Sequence, residues 1–151
     1  MKLDTIALDI EKAEQGISEV YPGTDIVLWT KRAWSPAFRE VFQREIANAT
    51  NSDGETPEGA EDRAIFIATI ETCFVRWENV EGSIKGGAYL PTDEPLEYTP
   101  EVGLLLFDPE KTPAFEPLFA YWSHLSLNSA NYRAKREEKT VGKSATSSDG
   151  S

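Results

Sequence analysis

The sequence predicts an α+β fold, predominantly α-helical, in which an N-terminal β-hairpin is followed by about four helices packed around a central helix. Three observations carry that expectation. Between residues 62 and 77 the apolar residues Phe66, Ile67, Ile70, Cys73, Phe74 and Trp77 recur at intervals of three and four, the spacing that aligns side chains on one helix face. Pro22-Gly23 separates two stretches of strand character, 17–21 and 24–31. Ser35-Pro36, Thr99-Pro100 and Thr112-Pro113 each join a capping hydroxyl to the residue favoured at the first helical position.

Taken in order, residues 9–15 have the polarity of a short helical turn, stopped at Gly16, which tolerates a positive φ. In the second hairpin arm Ile26, Leu28 and Thr30 alternate with Asp25, Val27 and Trp29, so one sheet face should be buried. The helix opened by Ser35-Pro36 has Phe38, Val41, Phe42 and Ile46 as its apolar face and ends near Ala49. Residues 48–59 gather turn-forming residues into an exposed loop, with Thr56-Pro57 as cap of the central helix. That helix has a second apolar stripe, Ile65, Ala68 and Val75, which fits complete burial or a contact between copies.

Gly82, Gly86, Gly87, Pro91 and Pro95 are too many breakers for a helix over 81–98 and suit a short ribbon or an ordered loop. A short helix bearing Val102, Leu104, Leu105, Leu106 and Phe107 ends before Asp108-Pro109, because the residue preceding a proline avoids the helical region. The last helix starts at Thr112-Pro113 and presents Phe115, Leu118, Phe119, Trp122, Leu125 and Ser129. Pro117 requires its own position to lie in the first turn. One folded domain over 1–138 and a disordered, Gly/Ser/Thr-rich tail over 139–151 complete the expectation.

A chain of 151 residues suits one domain. With 40% hydrophobic and 27% charged residues it falls among ordinary globular proteins, and no apolar run approaches the roughly 20 residues needed to span a bilayer. Met1-Lys2-Leu3-Asp4-Thr5 shows no secretory pattern, so a cytoplasmic home is expected. Cys73 is the only cysteine and lies on the expected buried face, where it packs as a small hydrophobe. The net charge is −11, and residues 131–151 carry five Lys/Arg against three Asp/Glu, which leaves −13 on residues 1–130. An acidic body repels phosphates, so no direct nucleic-acid binding is expected. The charge would keep a self-associating protein soluble or imitate the phosphate pattern of DNA.

Chemistry is sparse. His124 is the only imidazole and lies beside Tyr121 and Asn128 at helical spacing, with no second His or Cys to complete a metal or nucleophile site. Asp53-Gly54-Glu55 lacks the alternating oxygen ligands of a calcium loop and reads as a turn. Gly82-Ser83-Ile84-Lys85-Gly86-Gly87 misses the P-loop spacing and precedes Tyr89-Leu90-Pro91 rather than a helix. Glu78 and Glu81 form a pair that chance supplies among 26 acidic residues. No catalytic, cofactor or metal site is therefore nominated, and a non-enzymatic protein is expected.

The order of several motifs resembles the tail assembly chaperones of long, non-contractile-tailed bacteriophages. Ala13-Glu14-Gln15-Gly16, a strand pair and Ser35-Pro36-Ala37-Phe38 resemble their amino-terminal half. Trp77-Glu78-Asn79-Val80-Glu81-Gly82, then Tyr98-Thr99-Pro100-Glu101, then Leu104-Leu105 with Asp108-Pro109, and finally Asn131-Tyr132-Arg133 are similar to the carboxyl-terminal signature. The likeness spans roughly residues 9–138 and makes Pro36, Phe38, Trp77, Gly82, Tyr98, Pro100, Asp108, Pro109 and Tyr132 the signature positions, read as structural. Residues 85–95 depart from it, being longer than the brief polar turn expected there.

The resemblance implies a mainly helical protein of the host cytoplasm that coats the tape measure protein before the tail tube polymerises, and that is absent from the finished virion. It also implies many copies acting together, and a longer form made by a −1 ribosomal slip near the end. The competing expectation is an acidic DNA mimic that inhibits a host nucleic-acid-binding or restriction protein, which needs a regular carboxylate stripe. Self-association is expected through the two-sided central helix together with Trp29 and Trp34.

Overall fold

The computed structural model describes residues 2–134. The end of the expected 1–138 domain and the expected tail lie outside them. The class is α+β, but the helical predominance is corrected: five helices and two small antiparallel sheets give 47% helix and 21% strand among the described residues.

Helix α1 (Ile10–Gln15) is capped by the Asp9 carboxylate, which accepts from Lys12 N–H at 3.1 Å, and stops at Gly16, whose φ is 86°. Strands β1 (Ile17–Val20) and β2 (Val27–Thr30) form the expected hairpin, pairing Ile17 with Thr30 and Val20 with Val27. Helix α2 (Pro36–Ala49) begins where Ser35 Oγ accepts from Phe38 N–H at 3.2 Å and turns Phe38 and Val41 inward. Thr56-Pro57 is not the next cap. Thr56 bonds Thr50 through their hydroxyls at 2.8 Å, and Gly59 in the left-handed region precedes α3 (Ala60–Ala68).

The expected central helix over 62–77 is the main correction. It ends at Ala68, widens into a π-turn (Thr69–Cys73) and becomes strand β3 (Phe74–Glu78). Thr69 and Thr72 each donate a hydroxyl hydrogen bond to the carbonyl four residues back, at 2.7 Å, a competition with the helical ladder that loosens it. Strand β3 then adds to the hairpin, giving the order β1-β2-β3. Thr30 pairs with Phe74 and Trp29 with Arg76, so Val75 is an extra, bulged residue. The bulge turns Phe74 and Trp77, three residues apart, to the same buried face. In a regular strand they would point oppositely, and this spacing of three is what imitates a helix.

Residues 81–98, open between ribbon and loop from sequence, form a ribbon of β4 (Glu81–Lys85) and β5 (Ala88–Pro95). Gly86 and Gly87, at φ 60° and 76°, make the two-residue turn between them, in which both residues need positive φ. Helix α4 (Pro100–Leu106) is capped by Thr99 Oγ1 from Val102 N–H. Thr112 Oγ1 then donates to Leu106 O at 2.6 Å, closing the end of α4. A short 3-10 turn (Pro113–Phe115) leads into α5 (Glu116–Leu127), where Pro117 lies in the first turn as required. Ser129 falls beyond α5 in a further 3-10 turn (Ser129–Tyr132) and is exposed, so it leaves the expected stripe.

The core centres on Trp122 of α5 rather than on α3. Its indole is fully buried, stacks on Phe74 at 4.0 Å between ring centroids and meets Tyr98 at 5.0 Å and Trp77 at 5.9 Å. Its Nε1–H donates to Thr30 Oγ1 at 2.8 Å, while Thr30 O accepts from the Tyr132 hydroxyl at 3.3 Å. Buried polar groups are thereby satisfied where β2, α5 and the final turn converge.

Candidate functional site

Trp77 closes the floor of an open groove of about 460 Å³ framed by the hairpin turn, the β3–β4 link, the ribbon and the start of α5. Volumes of this order receive a few side chains of a partner or a small molecule. The hairpin wall exists because Tyr21 N–H donates to Ile26 O at 2.8 Å and Thr24 N–H to Tyr21 O at 3.1 Å, setting Tyr21 and Ile26 side by side at the mouth. Asn79, at φ 67°, reaches across to Asp25 O at 2.8 Å and ties the hairpin to the β3–β4 link. On the other side Trp77 Nε1–H donates to Leu96 O at 2.6 Å, and Leu96 N–H to Val80 O at 2.9 Å. The far wall is Phe115, edge-on to Tyr89 at 5.4 Å, with Leu118 behind.

Gly82 makes the Tyr89 placement possible. At φ 148° it lies so near the Tyr89 ring that a Cβ there would collide with Cε1, and the Tyr89 hydroxyl donates to Glu81 O at 3.0 Å. An adjoining cleft of about 540 Å³ shares Trp77, Asn79, Val80, Glu81 and Leu96 and extends the groove past Glu97. Among the described residues the charged side chains of both are acidic, Asp25, Glu81 and Glu97. An apolar floor with a negative rim suits a segment that brings apolar side chains flanked by positive charge.

Of the signature positions Trp77 lines the groove, while Gly82 backs Tyr89 of its wall and Tyr98 lies edge-on to Trp77 at 5.2 Å without lining the groove itself. Tyr98 is buried and its hydroxyl donates to Ile70 O at 3.0 Å. Burial raises its phenol well above the ordinary range, with Cys73 and Glu101 acting in the same sense. The others lie elsewhere. Pro36 and Pro100 stand at helix starts, Phe38 is buried on α2, and Tyr132 is buried beneath Thr30. Asp108 Oδ1 accepts from Glu110 N–H at 3.0 Å in the turn that includes Pro109. Ile26, Phe115 and Leu118 were expected from the sequence as members of core-facing stripes and Tyr21 as a strand end, none of them as a groove wall, and Leu96, an isolated apolar residue just beyond β5, carried no signal at all.

The motifs examined for chemistry have structural placements. Glu78 accepts from Trp29 Nε1–H at 2.7 Å and sits 3.9 Å from Arg76 Nε, whereas Glu81 lines the groove. Asn51 Oδ1 accepts from Asp53 and Glu55 N–H, making the 51–55 turn. The 82–87 run belongs to the ribbon, and His124 is exposed on α5. Among the described residues no group of three or more His, Cys, Asp or Glu is placed to hold a metal ion, and no helix is long and apolar enough to cross a membrane. In comparison with known proteins, no family model, no curated protein and no solved structure matches this chain.

Proposed function

We propose that this chain is a tail assembly chaperone of a long, non-contractile-tailed bacteriophage, which holds apolar segments of the tape measure protein in solution until the tail tube forms around them. The observation that carries the reading is the groove between hairpin and ribbon. It is apolar within, acidic at its rim and framed by backbone hydrogen bonds on both sides, so it is preformed for an amphipathic segment. The motif order described above supplies the family. The reading includes action in the host cytoplasm, several copies along one tape measure protein, and a −1 frameshift form that extends the chain.

The DNA-mimic alternative asks for an unbroken carboxylate stripe. Arg44 instead bridges Glu45 and Glu71, at 2.9 and 3.0 Å, and Arg76 lies beside Glu78, so positive charge interrupts the acidic surface.

Co-expression with the tape measure protein of the same genome tests the proposal. The wild-type chain should raise that protein's soluble yield several-fold. Leu118→Asp, at the half-buried wall of the groove, should lose the effect while keeping a native circular dichroism spectrum. No gain with the wild type, or an equal gain with a folded Leu118→Asp, would overturn it.

A further inference from the structure

A second concave surface, sharing no lining residue with the groove, carries charge of the other sign. Two adjoining pits of about 160 and 320 Å³ have Leu8, Ser129 and Tyr132 as a common wall. The charged residues lining them are Arg32 in the first and Arg133 in the second. Among the described residues no carboxylate lines either pit, although the chain carries a net charge of −11. The sequence makes this local exception, since residues 26–39 contain no Asp or Glu.

The backbone fixes Arg32. Lys31 N–H donates to Cys73 O at 2.8 Å and Ala33 N–H to Ser126 O at 2.9 Å, so the link from β2 to α2 is pinned on both sides of it. Trp34 follows at φ 59°, a costly conformation for a bulky residue. Those bonds and ring contacts with Phe38 at 4.6 Å and Phe42 at 5.3 Å hold it there. Arg32 is half-buried, and its Nε is sealed from solvent without a hydrogen-bond acceptor, the one such side-chain atom among the described residues.

A half-buried guanidinium with no ion-pair or hydrogen-bond partner among the described residues costs free energy until an acceptor reaches the part of it that lines the pit, and the acceptor that matches it in shape and charge is a carboxylate or a phosphate. The rim decides between them. Ile6, Leu8, Trp34 and Leu127 are 52%, 40%, 39% and 61% exposed around the two pits. A phosphate leaves that apolar surface in water, whereas a peptide that carries a carboxylate beside an apolar side chain covers it as well.

The geometry points to a docking site for an acidic segment of a partner protein. An Asp or Glu of that segment pairs with Arg32 in the first pit, and a neighbouring Leu, Ile or Phe side chain seats against Ile6 and Leu8 in the second. The site stands independently of the chaperone reading and of the acid-rimmed groove.

Selection from a displayed library of random decapeptides tests it, with the full chain as bait. Beside any basic peptides that the acid-rimmed groove captures, one class of enriched peptides should share an Asp or Glu next to a large apolar residue. They should bind Arg32→Gln at least about tenfold more weakly, the scale of losing one charge-assisted contact. Replacing the shared acid by its amide in a synthetic peptide should produce the same loss. Leu127→Glu, at a position exposed enough to leave folding unchanged, should repel the same peptides even if Arg32→Gln misfolds. Absence of any enriched peptide that carries an acid, retention of the acid-bearing peptides by both variants, or their dependence on Leu118 instead would overturn the assignment.

Discussion

Gly103→Ala sets helix propensity against packing, and the structure fixes the sign. Gly103 is buried in α4, where alanine on propensity alone would stabilise the chain by about 1 kcal/mol. The added Cβ, however, would stand 2.5 Å from Tyr98 Oη and 2.9 Å from Ile70 Cγ2. Neither neighbour yields easily, because the Tyr98 hydroxyl is bonded to Ile70 O at 3.0 Å and the ring is held edge-on to Trp77 and Trp122. Overpacking costs about 1–3 kcal/mol and loss of the buried hydrogen bond about 1–2 more. The net expectation is a loss of about 2–3 kcal/mol, roughly 5–10 °C in Tm for a chain of this size. Urea denaturation of wild type, Gly103→Ala, Tyr98→Phe and the double variant measures it. Removal of Oη relieves the closest contact, so the double variant should be less destabilised than the two single losses added, by about 1 kcal/mol or more. Gly103→Ala as stable as the wild type, or additive effects, would refute the reasoning.

Trp77→Ala empties a buried site and cuts the Nε1–H bond to Leu96 O, so calorimetry should show about 3–5 kcal/mol lost, whereas exposed Glu55→Ala should shift stability by less than about 0.5 kcal/mol. Burial pushes the Cys73 thiol from 9.0 up to about 11, so the folded chain keeps a proton that the unfolded chain releases between those values. The native state therefore holds its full stability below pH 9 and loses up to about 2–3 kcal/mol by pH 11; urea midpoints at pH 8 and 10 should show the fall, and Cys73→Ala should flatten it. The Tyr98 and Tyr132 phenols, also raised by burial, steepen the loss above pH 10. The proposal of several copies acting together predicts a light-scattering mass that rises with concentration, although the two-sided central helix first expected to carry that contact ends at Ala68; a concentration-independent monomer would count against it.

The local features of the fold were legible. Ser35 and Thr99 cap the helices they were read to cap, Gly16 ends α1, and Pro22-Gly23 turns the hairpin, because each depends on the chemistry of two or three neighbouring residues. The 62–77 stretch misled because a bulge at Val75 reproduces helical spacing in an extended chain, and nothing local in Phe74-Val75-Arg76-Trp77 distinguishes the two. What does distinguish them is β2, far away in sequence, with an open edge to pair. The groove was illegible for the same reason: its walls come from residues 21–26, 77–81, 89, 96, 106 and 114–118, and no short motif links them. Arg32 left one faint trace, an arginine in a stretch without acids, whose meaning needed the surrounding burial.

The hydrogen bonds that converge on Thr30 also govern when this protein can fold. Trp122 and Tyr132, which bond its side chain and its carbonyl, lie 92 and 102 residues further along the chain. A ribosome adding about 5–20 residues per second needs roughly 5–18 s to go from Thr30 to Trp122. Until then Leu28, joined by Phe74 and Trp77 once β3 is made, lacks the Trp122 indole that closes over it and stays open to water and to other nascent chains. Contacts so distant in sequence also slow the search for the native state after release. Synthesis is thus the stage at which this chain is most exposed to aggregation, and a product truncated before residue 122 would remain in that condition.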